Sequence, residues 1–177
     1  MTTGAVTTCA VLLRGVNVGG HNRVPMARFR SLLEGLGGQD VQTYLQSGNA
    51  VLSWPGPAEA LENAVHQALA VELSLSVPVL VRTAAELAAV VAGCPWPDLD
   101  PKLLHAVFLT GPADPDRVAA VDHAGLSPEL VAVGDRVVYA FYAGGVQRSR
   151  LARLDVGGGP GTARNWRTVT ALAQLCG

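Results

Sequence analysis

A chain of 177 residues fits one domain or two small ones sharing a core, and its 49% hydrophobic content supplies ample apolar material to bury. Charged residues make up only 15%, which argues against disorder, and a net charge of −1 excludes a generic polyanion binder. No apolar segment is long enough to span a bilayer and the N-terminus lacks a secretory signal, so a cytoplasmic protein without a membrane partner is expected.

Residues 6–13 read as a buried strand. The strand runs into Arg14-Gly15-Val16-Asn17-Val18-Gly19-Gly20-His21-Asn22-Arg23, the densest polar stretch of the chain. Pro25 then opens a helical pattern in which Met26, Phe29, Leu32, Leu33 and Leu36 recur until Gly37-Gly38 ends it. Val41, Thr43 and Leu45 alternate with Gln42, Tyr44 and Gln46, which is strand periodicity. Ser47-Gly48-Asn49 is a turn signal, and residues 50–54 return as the second arm of a hairpin. Leu61, Ala64, Val65, Ala68, Leu69 and Leu73 form a helical stripe, and residues 77–82 a fourth strand. The order β-α-β-β-α-β is that of a split, ferredoxin-like unit, whose fourth strand lies at a sheet edge where Pro78 is tolerated.

Thr83 and Glu86 make a capping-box pattern that opens a short helix to Gly93. Beyond the loop at 94–98, a strand at 105–110, a helix at 115–124 and a hairpin of 129–133 with 137–142 repeat the first half's order. A short helix is expected over 146–154, a flexible link over 157–161, and a final helix with Thr162 as N-cap and Trp166, Val169, Leu172, Ala173 and Cys176 on its apolar face. No residue-level repeat is visible between the halves. The expected fold is therefore α+β: tandem ferredoxin-like units, mainly antiparallel, with helices on one face. The first spans 1–82 and the second 83–177, within one compact structural domain, and a single continuous sheet shared by both is one arrangement open to them.

Three features bear on function. The glycine connection between strand and helix presents backbone N–H groups, Arg14, Asn17, Gly19, Gly20, His21 and Arg23, a combination that favours an anion. Gly15 and Gly20 have the spacing of a phosphate-binding loop, but His21 and Asn22 stand where that motif needs Lys and Ser/Thr, so nucleotide hydrolysis of that kind is rejected. The competing reading is a tight turn whose carbonyls Asn17 and Asn22 satisfy. Gln46, Ser47 and Asn49 at the hairpin tip are either turn chemistry or a second polar wall. Arg148-Ser149-Arg150 and Arg164-Asn165-Trp166-Arg167-Thr168 form a basic group, with Arg148, Ser149, Arg164 and Asn165 as its candidate ligands, that reads as an anion clamp or as a structural salt-bridge network and solvated face.

Charge is uneven: four arginines and no acid from Arg14 to Arg30, and six arginines against Asp155 alone from Arg136 to Arg167. Cys9, Cys94 and Cys176 lie apart in or beside apolar runs and read as buried reduced thiols. No metal spacing, carboxylate pair or serine elbow accompanies His21, so no metal or cofactor is expected. The leading expectation is binding of a small anionic or phosphate-bearing ligand. An enzyme using His21 as acid/base, a nucleic-acid-binding module built on the arginine-rich segments, and a homo-oligomeric structural role are the rivals. The aromatic-glycine signature of RNA-binding sheets is missing.

Leu12-Leu13-Arg14-Gly15-Val16-Asn17-Val18-Gly19-Gly20, Val24-Pro25-Met26, Val41-x-Thr43-Tyr44-x-Gln46-Ser47-Gly48-Asn49 and Arg164-Asn165-Trp166-x-Thr168-Val169 resemble the bacterial domain of unknown function 1697 family over nearly the whole chain. The resemblance implies tandem ferredoxin-like units and brings no activity, substrate or cofactor. Arg167 departs from it, standing where the pattern more often has asparagine, and the 157–161 link is unusually glycine-rich.

Overall fold

Thr7–Leu13, seven residues without a charge, form β1, and residues 9–13 of it are fully buried on both sides of the pleat. The computed structural model, which describes residues 6–177, divides into two units: Met1–Leu87 with Leu172–Gly177, and Ala88–Ala171. The strands make two separate four-stranded antiparallel sheets rather than one continuous one. The division falls within α3 (Ala84–Ala92) and α6 (Trp166–Cys176).

In the first unit β1 is followed by α1 (Met26–Gly35), β2 (Gln39–Tyr44), β3 (Asn49–Trp54), α2 (Ala58–Leu73) and β4 (Val79–Thr83). The sheet order β2-β3-β1-β4 is ferredoxin-like, with β4 on an edge and Pro78 immediately before it. Residues directly opposite in an antiparallel pair share a face. Cys9, Val11 and Leu13 therefore look the same way as Leu52 and Ala50 on β3 and as Val81 and Val79 on β4. Against this face α1 packs Phe29, Leu32 and Leu33, and α2 packs Leu61, Val65 and Leu69 at four-residue spacing. Each such fully buried side chain contributes about 2 kcal/mol of transfer free energy.

The hairpin differs from its sequence reading. Asp40 adopts φ 53° where the β2–β3 register shifts between Gln39 and Gln42, and at the other end Leu45, at φ 58°, leaves extended backbone, so β2 ends at Tyr44. Leu45 and Gln46 then fall in the turn instead of continuing the alternation.

The second unit repeats the order with β5 (Leu104–Leu109), α4 (Pro115–Ala119), α5 (His123–Leu126), β6 (Leu130–Gly134), β7 (Val137–Phe141) and β8 (Gly161–Asn165), arranged β6-β7-β5-β8. Registers also correspond. Arg82 of β4 lies opposite Ala10 of β1, and Arg164 of β8 opposite Ala106 of β5. Both arginines are buried, and each donates through Nη1 to the carbonyl of its own preceding residue, Val81 and Ala163, at 2.9 Å. Each strand then passes straight into a helix whose first turn is capped. Thr83 and Glu86 form the capping box, with Glu86 N–H donating to Thr83 Oγ1 at 3.2 Å and Thr83 N–H to Glu86 Oε2 at 2.8 Å. Thr168 N–H donates to Asn165 Oδ1 at 3.0 Å. Asn165, not Thr162, is thus the cap of the last helix, because Thr162 lies inside β8.

The helical layer is where the two units differ. The helix expected over 115–124 breaks into two, because the Asp122 side chain accepts from Gly125 N–H and starts α5 afresh. The helix expected over 146–154 is two single 3-10 turns, Val146–Arg148 and Leu151–Arg153, parted at Ser149 by extended backbone. Where the first unit has α2 of 16 residues, the second has only these turns. Val118, Leu126 and Leu151 reach down to Leu109, Val138, Ala140 and Tyr142. Val107 is nevertheless only half-buried and Ala163 opposite it is exposed, whereas their first-unit counterparts Val11 and Val81 are buried.

Gly48 closes the first hairpin at φ 82°, its carbonyl accepting from Leu13 N–H at 2.8 Å. A Cβ there would stand 2.6 Å from Val16 Cγ2 and 2.8 Å from Leu13 Cβ. Left-handed strain and overpacking then add, so Gly48→Ala is expected to cost about 2–4 kcal/mol, seen as a lower urea midpoint. An unchanged midpoint would show that the hairpin can shift away from β1 at no cost.

Candidate functional site

Of the sequence-selected residues, those from Arg14 to Asn49 lie in the first unit and those from Arg148 to Asn165 in the second. In the glycine connection the amide side chains are consumed by the backbone. Asn17 Nδ2 donates to Val24 O at 2.9 Å and to Gln46 O at 2.7 Å, and its Oδ1 accepts from Val24 N–H at 2.9 Å. Asn22 Nδ2 donates to Gly15 O at 3.1 Å, while Asn17 N–H donates to Asn22 O at 3.1 Å and closes the loop at its stem. Both asparagines hold positive φ, 55° and 48°, which asparagine tolerates better than other side chains. Gly19 and Gly20, at φ 57° and 80°, are exposed at the tip. Asn49 Nδ2 donates to Tyr44 O at 2.8 Å and to Ser47 Oγ at 2.9 Å and ties the neighbouring turn.

Arg14, His21 and Arg23 project from this framework and are exposed. Among the described residues none of the three side chains has an ion pair or hydrogen-bond partner, whereas Arg28 pairs with Glu72 at 3.4 Å and Arg30 with Glu34 at 2.9 Å. His21 stands with no carboxylate or nucleophile bonded to its ring, and only its N–H is engaged, donating to Val18 O at 3.0 Å.

In the second unit Arg164 and Arg148 part company. Arg164 shares a sheet face with Ala106 and Tyr139, opposite to the face of Val107, Val138 and Ala140 that α4, α5 and the 3-10 turns cover. Its Nη1 also donates to Thr162 Oγ1 at 2.7 Å, and burial pushes the guanidinium down to about 10, which leaves it protonated at neutral pH. That face is closed in by Tyr139, whose hydroxyl donates to Val90 O at 2.7 Å, and by Trp166, edge-on to Tyr139 at 6.2 Å. Ser149 Oγ accepts from Ala152 N–H at 2.9 Å, and Asn165 is occupied as the helix cap. Arg148 is exposed.

The cavity of the second unit lies on the thinly covered face. A cleft of about 760 Å³ opens between α4–α5 and the second 3-10 turn. Arg117, Arg150 and Arg153 line it together with Val121, Leu126 and Leu154. Three residues make one turn of 3-10 helix, so side chains at i and i+3 eclipse, and Arg150 and Arg153 come to one side. Arg117 is spoken for by Asp114 at 3.4 Å and Asp155 at 2.9 Å. Arg150 donates only to a backbone carbonyl, Gly125 O at 3.1 Å, and Arg153 has no partner among the described residues. A second recess of about 480 Å³ shares Leu126 and Arg150 with this cleft and has Arg148 on its rim. Sequence reading named Arg150 within the run Arg148-Ser149-Arg150 but kept only Arg148 and Ser149 of it as candidates, and it passed over Arg117 and Arg153. The i, i+3 spacing of Arg150 and Arg153 was the available signal, visible only if 3-10 rather than α periodicity is assumed.

Among the described residues no group of three or more His, Cys, Asp or Glu could hold a metal ion, and no helix is long and apolar enough to cross a membrane. All three cysteines are buried and free, and burial pushes the Cys9 and Cys176 thiols up to about 11, which keeps them un-ionised.

The family described as protein of unknown function (DUF1697) matches residues 6–139, a span from the first strand to the middle of β7. The chain belongs to the DUF1697 family. Among solved structures it is similar to the conserved bacterial protein SP0830 from Streptococcus pneumoniae, with 25% identity and a TM-score of 0.78 over 98% of this chain and 100% of that one. No curated protein matches it. The DUF1697 match covers the glycine connection and the hairpin turn, and it ends before Arg150 and Arg153.

The asparagine-held loop of this DUF1697 protein makes a clear prediction. Asn17→Gly keeps the positive φ accessible but deletes three hydrogen bonds, two of them to carbonyls. A loss of about 2–3 kcal/mol is expected, with faster amide exchange at Val24. Stability within about 0.5 kcal/mol of the parent would mean that water replaces the amide without cost.

Proposed function

We propose that the second unit binds a small molecule bearing a carboxylate or phosphate group in the cleft between α4–α5 and the second 3-10 turn. The observation that carries this reading is the pair Arg150 and Arg153, brought to one side of a cavity without a carboxylate partner on either. Two planar, permanently charged forks on one turn suit a carboxylate or phosphate, which each can hold through two parallel N–H donors. The backbone carbonyl of Gly125 fixes Arg150, which lowers the entropy lost when an anion docks. Arg117, already neutralised, serves as a wall.

The rest of the lining sets the kind of molecule. Val121, Leu126, Leu154 and Val156 give the cleft an apolar side, and its volume lies within the range of roughly 300–1,000 Å³ typical of small-molecule sites. A ligand with an acidic head and an apolar or planar body fits both. Of the residues singled out from sequence, only Arg148 and Ser149 lie near this region, Arg148 beside the second recess, while the glycine connection and Arg164 lie outside the cleft. A cytoplasmic setting belongs to the same reading, supported by three cysteines that are all free.

Thermal-shift measurement against inorganic phosphate, sugar phosphates, nucleotides and dicarboxylates tests it. At least one class is expected to raise the melting temperature. Arg153→Ala, which removes no hydrogen bond, should leave the unliganded protein within about 0.5 kcal/mol of the parent and weaken that ligand about tenfold. A flat response across the panel would end the proposal, as would a ligand indifferent to Arg153.

A further inference from the structure

We propose that the glycine connection and the adjoining hairpin turn of the first unit form a docking surface for an acidic, aliphatic segment of a partner protein. The surface has an apolar tip and cationic flanks. Val18 at the tip of the connection is 66% exposed, and Leu45 on the neighbouring turn is 55% exposed. The two loops are locked together next to these residues by the bond from Asn17 Nδ2 to Gln46 O at 2.7 Å. Arg14 and Arg23 stand at the two stems of the connection, exposed and without a carboxylate among the described residues.

Leu45 is the most telling residue. It holds φ 58°, a conformation in which a leucine is strained, and it is largely exposed, so its side chain returns little to the fold in exchange. Asparagine or glycine would suit the backbone better. A leucine kept rigid and outward by a hydrogen-bonded frame is placed for contact with something else.

Charge decides the partner. Two unpaired arginines and no nearby acid in the segment from Arg14 to Arg30 call for carboxylates on both sides of an aliphatic anchor. A lipid surface fits less well, because the side chains of His21 and Gln46 are exposed around the tip and hydrocarbon would leave their polar groups unsatisfied. Nucleic acid fits less well, because the tip offers aliphatic side chains where bases need aromatic ones to stack on.

The test is selection of a random peptide display library on the full chain. Enriched peptides are then titrated by fluorescence anisotropy, with phosphatidylserine vesicles and oligo-dT run in parallel. Enriched sequences should place Asp or Glu on both sides of Leu, Ile or Val. Leu45→Asn should weaken such a peptide tenfold or more while the melting temperature stays level or rises, an opposition that a purely structural leucine would not show. The pair Arg14→Ala with Arg23→Ala should weaken it similarly and flatten its salt dependence, whereas Arg153→Ala should leave it unchanged. No enrichment, enrichment without acidic bias, binding that survives Leu45→Asn, or preference for vesicles or oligo-dT through these same residues would each overturn the proposal.

Discussion

A strand that is apolar on both faces has to be roofed twice, and the central strand of each sheet is of this kind. In the first unit α1 and α2 roof one face of β1 so completely that Cys9, Val11 and Leu13 are shut off from water. In the second unit the same face of β5 is covered by two short helices and two 3-10 turns, and Val107 remains half-buried. The cleft follows from that shortfall. It opens beside the short turns that stand in the chain order where the first unit has α2, and it is lined by residues of those shorter segments.

The elements legible in the sequence were those with a long, consistent period. The stripe from Leu61 to Leu73 and the apolar run of β1 could be placed because packing and propensity agree there, and Pro78 marked an edge because it lacks an N–H to donate. Illegible elements were those decided by one side chain against the local pattern. Leu45 in a left-handed conformation cuts β2 short, Asp122 restarts a helix that periodicity would have continued, and Ser149 takes extended backbone where a helix was expected. Thr162 was mistaken for a cap because a strand that runs straight into a helix leaves no loop to signal the boundary.

The candidate site shows the same division by residue type. Asn17, Asn22, Asn49, Ser149 and Asn165 have short polar side chains, and each reaches a backbone group close by, so their composition announced a held turn as much as a binding site. Arginine reaches past its own backbone, and whether it is free depends on carboxylates distant in sequence. Arg117 meets Asp155 across 38 residues, and no sequence window could have told it from Arg153. His105 illustrates the point for imidazole: it lies 5.0 Å from Tyr142 with Nδ1 at Leu103 O, and burial lowers its pKa, features invisible in a strand that merely begins with histidine.

Arg82 and Arg164 face alanines at the same register step, bond the same relative carbonyl and precede a capped helix alike. Such agreement shows that one sheet architecture accepts two very different coverings. Strand pairing and the packed reverse face set the order of the strands, so the segments laid over the outer face can be long or short without altering it. Residues on the short segments are thereby released from filling space, and their side chains can be chosen for charge instead of bulk.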